Sequence, residues 1–285
     1  IVANSLPNHE TGEFPNSGNP NTISEQSLTL ELVTDPVYTG LAAYVQEPGI
    51  ALNGVTFEPE TAETATCTSG ETYRIEALQD LLDLGLDFNN AHVQPGGKYH
   101  YHGLSDLLAA AFDNGDDLVL VGFAADGHLM YVSLTDAYET SYELSNEARS
   151  GTECLHSGRA GITLDLEGTV PDGTYGSDWI YTEGAGDLDE CNGTVIDGQY
   201  SYIITNAFPY IPRCMMGEVA AGAGAPRGTA PGGGPDFSEA AAILGVAVDE
   251  LQGVLPPPGE PLDDAAAALG VTVEELIAAL PVPPG

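Results

Sequence analysis

His92-Val-Gln-Pro-Gly-Gly-Lys-Tyr-His-Tyr-His102 gathers three of the chain's six histidines into eleven residues around a turn. Side chains alternate across a β-strand, so Tyr99-His100-Tyr101-His102 presents its imidazoles on one face and its phenols on the other. A three-residue loop, Pro95-Gly96-Gly97, with Gly97 in the left-handed position, sets His92 opposite His100. All three imidazoles then share a face, with their nitrogens expected within about 5 Å of one another or on a single ion. Clustered neutral imidazoles suit copper and zinc. Ordinary strand histidines bonded to their neighbours are the plainer alternative.

Outward from this hairpin the pattern reads as mainly β. Residues 26–33, Gln-Ser-Leu-Thr-Leu-Glu-Leu-Val, alternate like a half-buried strand. Ile75, Leu78 and Leu82 repeat at helical spacing with Gly85 as a left-handed stop, which predicts a short helix leading into the hairpin. Ser105-Asp106 predicts the cap of a second helix through Phe112. Residues 118–124 and 129–134 flank Asp126-Gly127, a two-residue hairpin signal, and 200–205 is a further strand. The expected fold is mainly β, with antiparallel sheets in a sandwich-like arrangement, short helices, and a small α-helical repeat tail at the carboxy terminus.

The Tyr99-His100-Tyr101-His102 run, preceded by His92 and Gln94-Pro95, resembles the YHYH-domain proteins, a group of secreted bacterial and eukaryotic proteins. Asn4-Ser-Leu-Pro-Asn-His9, Gly12-Glu-Phe-Pro-Asn16 and Gly18-Asn-Pro-Asn21 look like that family's amino-terminal signature, and Gly122-Phe-Ala-Ala-Asp-Gly127 like its central hairpin. Gly186-Asp-Leu-Asp-Glu-Cys-Asn-Gly193 and Phe208-Pro-Tyr-Ile-Pro-Arg-Cys214 look like its closing segments. The resemblance covers residues 1 to about 218 and implies a fold and an extracellular location rather than a reaction. His128 stands where the family pattern resembles an aromatic residue, which argues against a shared role for it.

The chain has 285 residues and a formal net charge of −37, with 43 acidic residues against 6 basic ones. Such an excess excludes nucleic acid and anionic membranes as partners and suits cation-rich or saline water. No run of about 18 apolar residues marks a membrane span, and the opening Ile1-Val2 reads as a mature secreted form after removal of a signal peptide. Cys67, Cys154, Cys191 and Cys214 contain no Cys-x-x-Cys pair, which argues for two disulfides over structural zinc. Three pairings are possible. Cys191–Cys214 with Cys67–Cys154 is the expected set, because the last two cysteines lie within the closing segments.

Other constellations carry weaker signals. Asp187, Asp189 and Asn192 place oxygen ligands close together in a pattern reminiscent of a calcium loop, though not of an EF-hand; an acidic turn beside a disulfide explains them as well. Asp126 is a candidate partner for an imidazole, and His9 a candidate fourth imidazole. His156 reads as a loop residue. There is no Gly-x-Ser-x-Gly elbow, phosphate loop, dinucleotide fingerprint or His-Glu-x-x-His helix. An enzyme built here would be a metal-dependent oxidase or hydrolase with an open position flanked by Tyr99 or Tyr101.

The tail is a separate object. Residues 219–236 form a Gly-, Ala- and Pro-rich linker. Residues 237–258 and 262–285 read as two helical hairpins, Leu244-Gly-Val246 recurring 25 residues on as Leu269-Gly-Val271. Hairpins this small need a partner surface, which implies a homo-oligomer or assembly. The sequence therefore points to a secreted metal-binding domain of residues 1–218, with copper or zinc at His92, His100 and His102 and calcium as a second candidate. The alternative is a structural subunit of an extracellular filament.

Overall fold

The computed structural model describes residues 1–157, 162–219 and 263–273, with Leu244, Val246 and Leu276 as single positions. The chain divides into two units, Ile1–Gly232 and Gly233–Gly285.

The first unit is mainly β. An eight-stranded sheet runs in the order Gly193–Ile196, Gln199–Ile204, Leu129–Ser133, Leu118–Ala124, Gly49–Ala51, Thr56–Phe57, Tyr99–Tyr101, Ala91–Val93. It is mixed rather than purely antiparallel, because Leu129–Ser133 pairs in parallel with Gln199–Ile204 and Thr56–Phe57 with Tyr99–Tyr101. A four-stranded antiparallel sheet orders Thr163–Leu164, Cys154–His156, Glu60–Thr66 and Thr72–Glu76. The two sheets bury separate apolar clusters rather than one shared sandwich layer. Val55, Phe57, Tyr99, Tyr101, Val119, Met130 and Tyr202 belong to the larger cluster, and Ala65, Ile75, Leu82, Leu166 and Tyr175 to the smaller. Each fully buried aliphatic or Phe side chain contributes about 1.5–3 kcal/mol.

Disulfides tie down both regions. Cys67–Cys154 lies in the smaller core and Cys191–Cys214 in the larger.

The histidine hairpin forms as its loop chemistry dictates. His92 pairs directly with His100, Gln94 N–H donates to the Lys98 carbonyl at 2.9 Å, and Gly97 N–H donates to the Gln94 carbonyl at 2.9 Å. Both loop glycines have positive φ, +110° at Gly96 and +90° at Gly97, where one was expected. Proline fixes the first corner of the turn and glycine supplies the conformation that L side chains resist. Ser105 caps the helix Asp106–Phe112 by accepting the Leu108 N–H.

Three sequence expectations are corrected. The helix through Ile75, Leu78 and Leu82 does not form. Ile75 belongs to the strand Thr72–Glu76, paired with Glu60–Thr66, and the Gln79 side-chain oxygen then accepts Leu81 N–H and Leu82 N–H in a bend. Sheet pairing and the buried Glu76 carboxylate outweigh a three-position apolar repeat, since propensity is a weak prior. Of residues 26–33 only Leu28–Thr29 is a strand, paired with Val2–Ala3. The Asp126-Gly127 turn is a three-residue loop, closed by Ala124 N–H to the His128 carbonyl at 2.8 Å, and only Gly127 has positive φ. A Cβ there would stand 1.9 Å from the Val33 carbonyl oxygen, so glycine is demanded by close approach as well as by conformation.

In the second unit a helix spans Asp263–Leu269. Gly270 at φ +71° ends it, with Val271 N–H donating to the Ala266 carbonyl at 3.0 Å. The linker beyond residue 219, the first hairpin repeat and the remainder of the second lie outside the described residues apart from the positions named.

Candidate metal centre

Strand alternation places His100 and His102 on one face of Tyr99–Tyr101, and the register adds His92 from the neighbouring strand. The His102 Nε2 lies 3.0 Å from the His100 Nε2 and 3.1 Å from the His92 Nε2. All three potential ligand atoms fall within 4.8 Å of one another, and among the described residues no other His, Cys, Asp or Glu joins the group. Both His100 and His102 are 2% exposed, while His92 is partly open.

The far nitrogens set the chemistry of the near ones. His92 Nδ1 lies 2.8 Å from the Leu84 carbonyl and His100 Nδ1 3.3 Å from the Lys98 carbonyl. A carbonyl only accepts, so these Nδ1 atoms carry the protons and the Nε2 atoms are bare. The Pro59 carbonyl favours a proton on His102, whose buried Nδ1 makes no full hydrogen bond. Bare lone pairs near 3 Å repel one another, and a proton on His102 Nε2 would satisfy only one of its two neighbours. A cation bound by all three removes the conflict. A tetrahedral ion with bonds of about 2.0–2.1 Å holds its nitrogens roughly 3.3 Å apart, close to the two spacings found at His102. Burial, followed by the neighbouring imidazoles, holds His100 and His102 well below the usual histidine range, in the neutral form that metals bind.

Two charged networks border the cluster, and neither is legible as such in the sequence. Glu58 is 4% exposed and accepts from Thr56 at 3.0 Å, from Gln94, and from Lys98 at 2.5 Å. Burial would lower the Lys98 pKa, yet the Glu58 and Glu47 carboxylates raise it above the ordinary value. Arg213 meets Glu76 in a bidentate pair at 2.8 and 2.6 Å, with both residues buried. Its charge, like that of Lys98 at His100, disfavours protonation of a cluster imidazole, here His102.

The remaining candidates lie elsewhere. Asp126 does not join the cluster. Its carboxylate accepts His128 N–H, the Tyr202 hydroxyl at 2.6 Å and Gly217 N–H at 3.0 Å, which makes it an internal staple. Asp187 accepts Glu139 N–H, Asp189 accepts Cys191 N–H, Gly193 N–H and the Tyr200 hydroxyl, and Asn192 donates to the Ile203 carbonyl and Thr205. These bonds tie the loop to the Glu139 backbone and to the strand Gln199–Ile204, and among the described residues Asp187 and Asp189 join no group of three His, Cys, Asp or Glu ligand atoms. His9 sits on the opposite face at 2.5 Å from the Tyr101 hydroxyl, so it is not a fourth imidazole. Tyr99 donates to Asp87 at 2.8 Å and Tyr101 receives Asn53 at 2.9 Å, so neither phenol flanks the centre. His156 bonds the Tyr175 hydroxyl at 2.7 Å.

Fold and site together define a disulfide-bonded, mainly β protein with a three-histidine centre on one hairpin. Residues 29–217 match the YHYH protein family, and the chain belongs to that family. The matched span begins after Asn4–Asn21, the stretch that resembles the family's amino-terminal signature. No curated protein and no solved structure matches the chain.

Proposed function

We propose that this protein is an extracellular binder of copper or zinc, held by His92, His100 and His102. The observation that carries the reading is the convergence of three Nε2 atoms within 4.8 Å, two of the rings being oriented by carbonyl contacts on their far nitrogens. Backbone carbonyls of this kind fix the tautomer and raise the basicity of metal-bound histidines. The ligand set is all-nitrogen, which favours copper or zinc over calcium or magnesium. Two disulfides support an oxidising, extracellular setting, and no described helix is long and apolar enough to cross a membrane. Self-association through residues 237–285 belongs to the same proposal, on the strength of the repeated Leu-Gly-Val units.

The test is metal stoichiometry of the full chain, titrated with zinc and with copper in enough salt to screen the acidic surface. One tightly held ion per chain is expected, falling to background in His100→Ala with an unchanged circular dichroism spectrum. Equal uptake by the variant places the ion elsewhere and ends the proposal.

A further inference from the structure

From the same three-histidine reading we infer that the loaded centre takes its fourth ligand from solution, and that this ligand is a small anion. Three imidazoles leave a tetrahedral ion one position short. Among the described residues no further His, Cys, Asp or Glu comes within the 4.8 Å group. The buried carboxylates that border the site are already engaged. Glu58 is held by Thr56, Gln94 and Lys98, and Glu76 is bound through both oxygens to Arg213. Moving Glu76 onto the metal would leave the buried Arg213 without its partner, and moving Glu58 would break its bonds to Thr56 and Gln94 and leave Lys98 to Glu47 alone.

Charge selects the class of ligand. Three neutral imidazoles leave a divalent ion its whole charge, in surroundings where His100 and His102 are each 2% exposed. Lys98 and Arg213 offset Glu58 and Glu76, and the one further carboxylate at Lys98, Glu47, leaves less negative charge than the two positive charges of the ion. An isolated charge is expensive in such surroundings, so the fourth ligand brings its own negative charge. His92 is the partly open member of the set and marks the side from which solution reaches the ion. Hydroxide, azide and other compact anionic donors fit this description.

The full chain loaded with Co²⁺ tests the inference, with azide as the probe and the visible ligand-field bands as the readout. A saturable band shift at one azide per bound cobalt is expected. His100→Ala, which should take up no cobalt at one per chain, should show no azide-dependent shift while its circular dichroism stays unchanged. If cobalt binds at one per chain and azide leaves the bands unmoved, the fourth position is not open to anions and the inference falls while the metal proposal stands. An equal shift in His100→Ala places the anion on cobalt held elsewhere and also overturns it. If the wild-type chain takes up no stoichiometric metal, both fall.

Discussion

At the scale of single residues, three imidazoles meet because one hairpin register brings them to the same face. His92 faces His100 because a Pro-Gly-Gly loop permits one register, and that is local information. The Leu84 and Pro59 carbonyls, the Glu58–Lys98 pair and the Glu76–Arg213 pair are brought in from other parts of the fold, so spacing within the hairpin could not reveal them. Asp126 and the Asp187–Asn192 loop show the converse. Short acidic side chains bond to nearby backbone as readily as to a cation, and here they do so. Glu190 offers a test of these electrostatics away from the metal. Burial, and then the neighbouring Asp189, raise its pKa above the usual carboxylate value. Its contribution to stability is therefore complete below the unfolded value of about 4.3 and is lost as pH rises through the higher folded value. Glu190→Gln should raise the denaturation midpoint at pH 8 by more than it does near pH 4. A gain of equal size at both ends would show that charge at this position does not oppose folding.

At the scale of elements, hairpins and the capped helix were legible because their signals are local and stereochemical. The helix expected at Ile75–Leu82 was not real because three apolar positions describe a buried strand followed by a bend as well as they describe a helical face. The His92–His102 turn lets its two glycines be compared. Alanine at Gly96 would meet nothing within 4 Å, whereas a Cβ at Gly97 would stand 2.0 Å from Ser24 Oγ, and both positions have positive φ. Left-handed backbone costs an L residue about 1–2 kcal/mol in either case. Gly97→Ala must in addition displace Ser24, whose N–H donates to the Gly97 carbonyl at 2.9 Å and whose hydroxyl donates to the Gly96 carbonyl at 3.1 Å. The Gly97 variant should therefore melt lower than the Gly96 variant and bind zinc more weakly, since the turn sets the register of His92 against His100. Equal melting points and equal zinc affinities would remove the amino-terminal segment from any part in holding the site.

At the scale of the whole molecule, composition and motif together gave the class of the protein, its disulfide pairing and its family, because cysteine partners and family segments are spread along the chain in a fixed order. The mixed sheet was not legible, since parallel pairing of Leu129–Ser133 with Gln199–Ile204 joins segments separated by a long excursion that no local signal announces. The tail is where chain-scale physics makes its own prediction. A formal charge of −37 sets copies of this chain against one another, and that repulsion reaches about a Debye length, roughly 8 Å at physiological ionic strength. A helix as short as Asp263–Leu269, ended at Gly270, is marginal in isolation, which is why the proposal gives the repeats a partner surface. If that partner is a second copy, association should strengthen as salt or Ca²⁺ screens or bridges the acidic surfaces. Deleting residues 219–285 should leave a soluble monomer that still takes up one zinc, while the full chain sediments as an oligomer whose population grows with salt. Identical sedimentation of the two proteins at low and high salt would show that the repeats are not an assembly device, and would leave the three-histidine centre as the function of the matched domain alone.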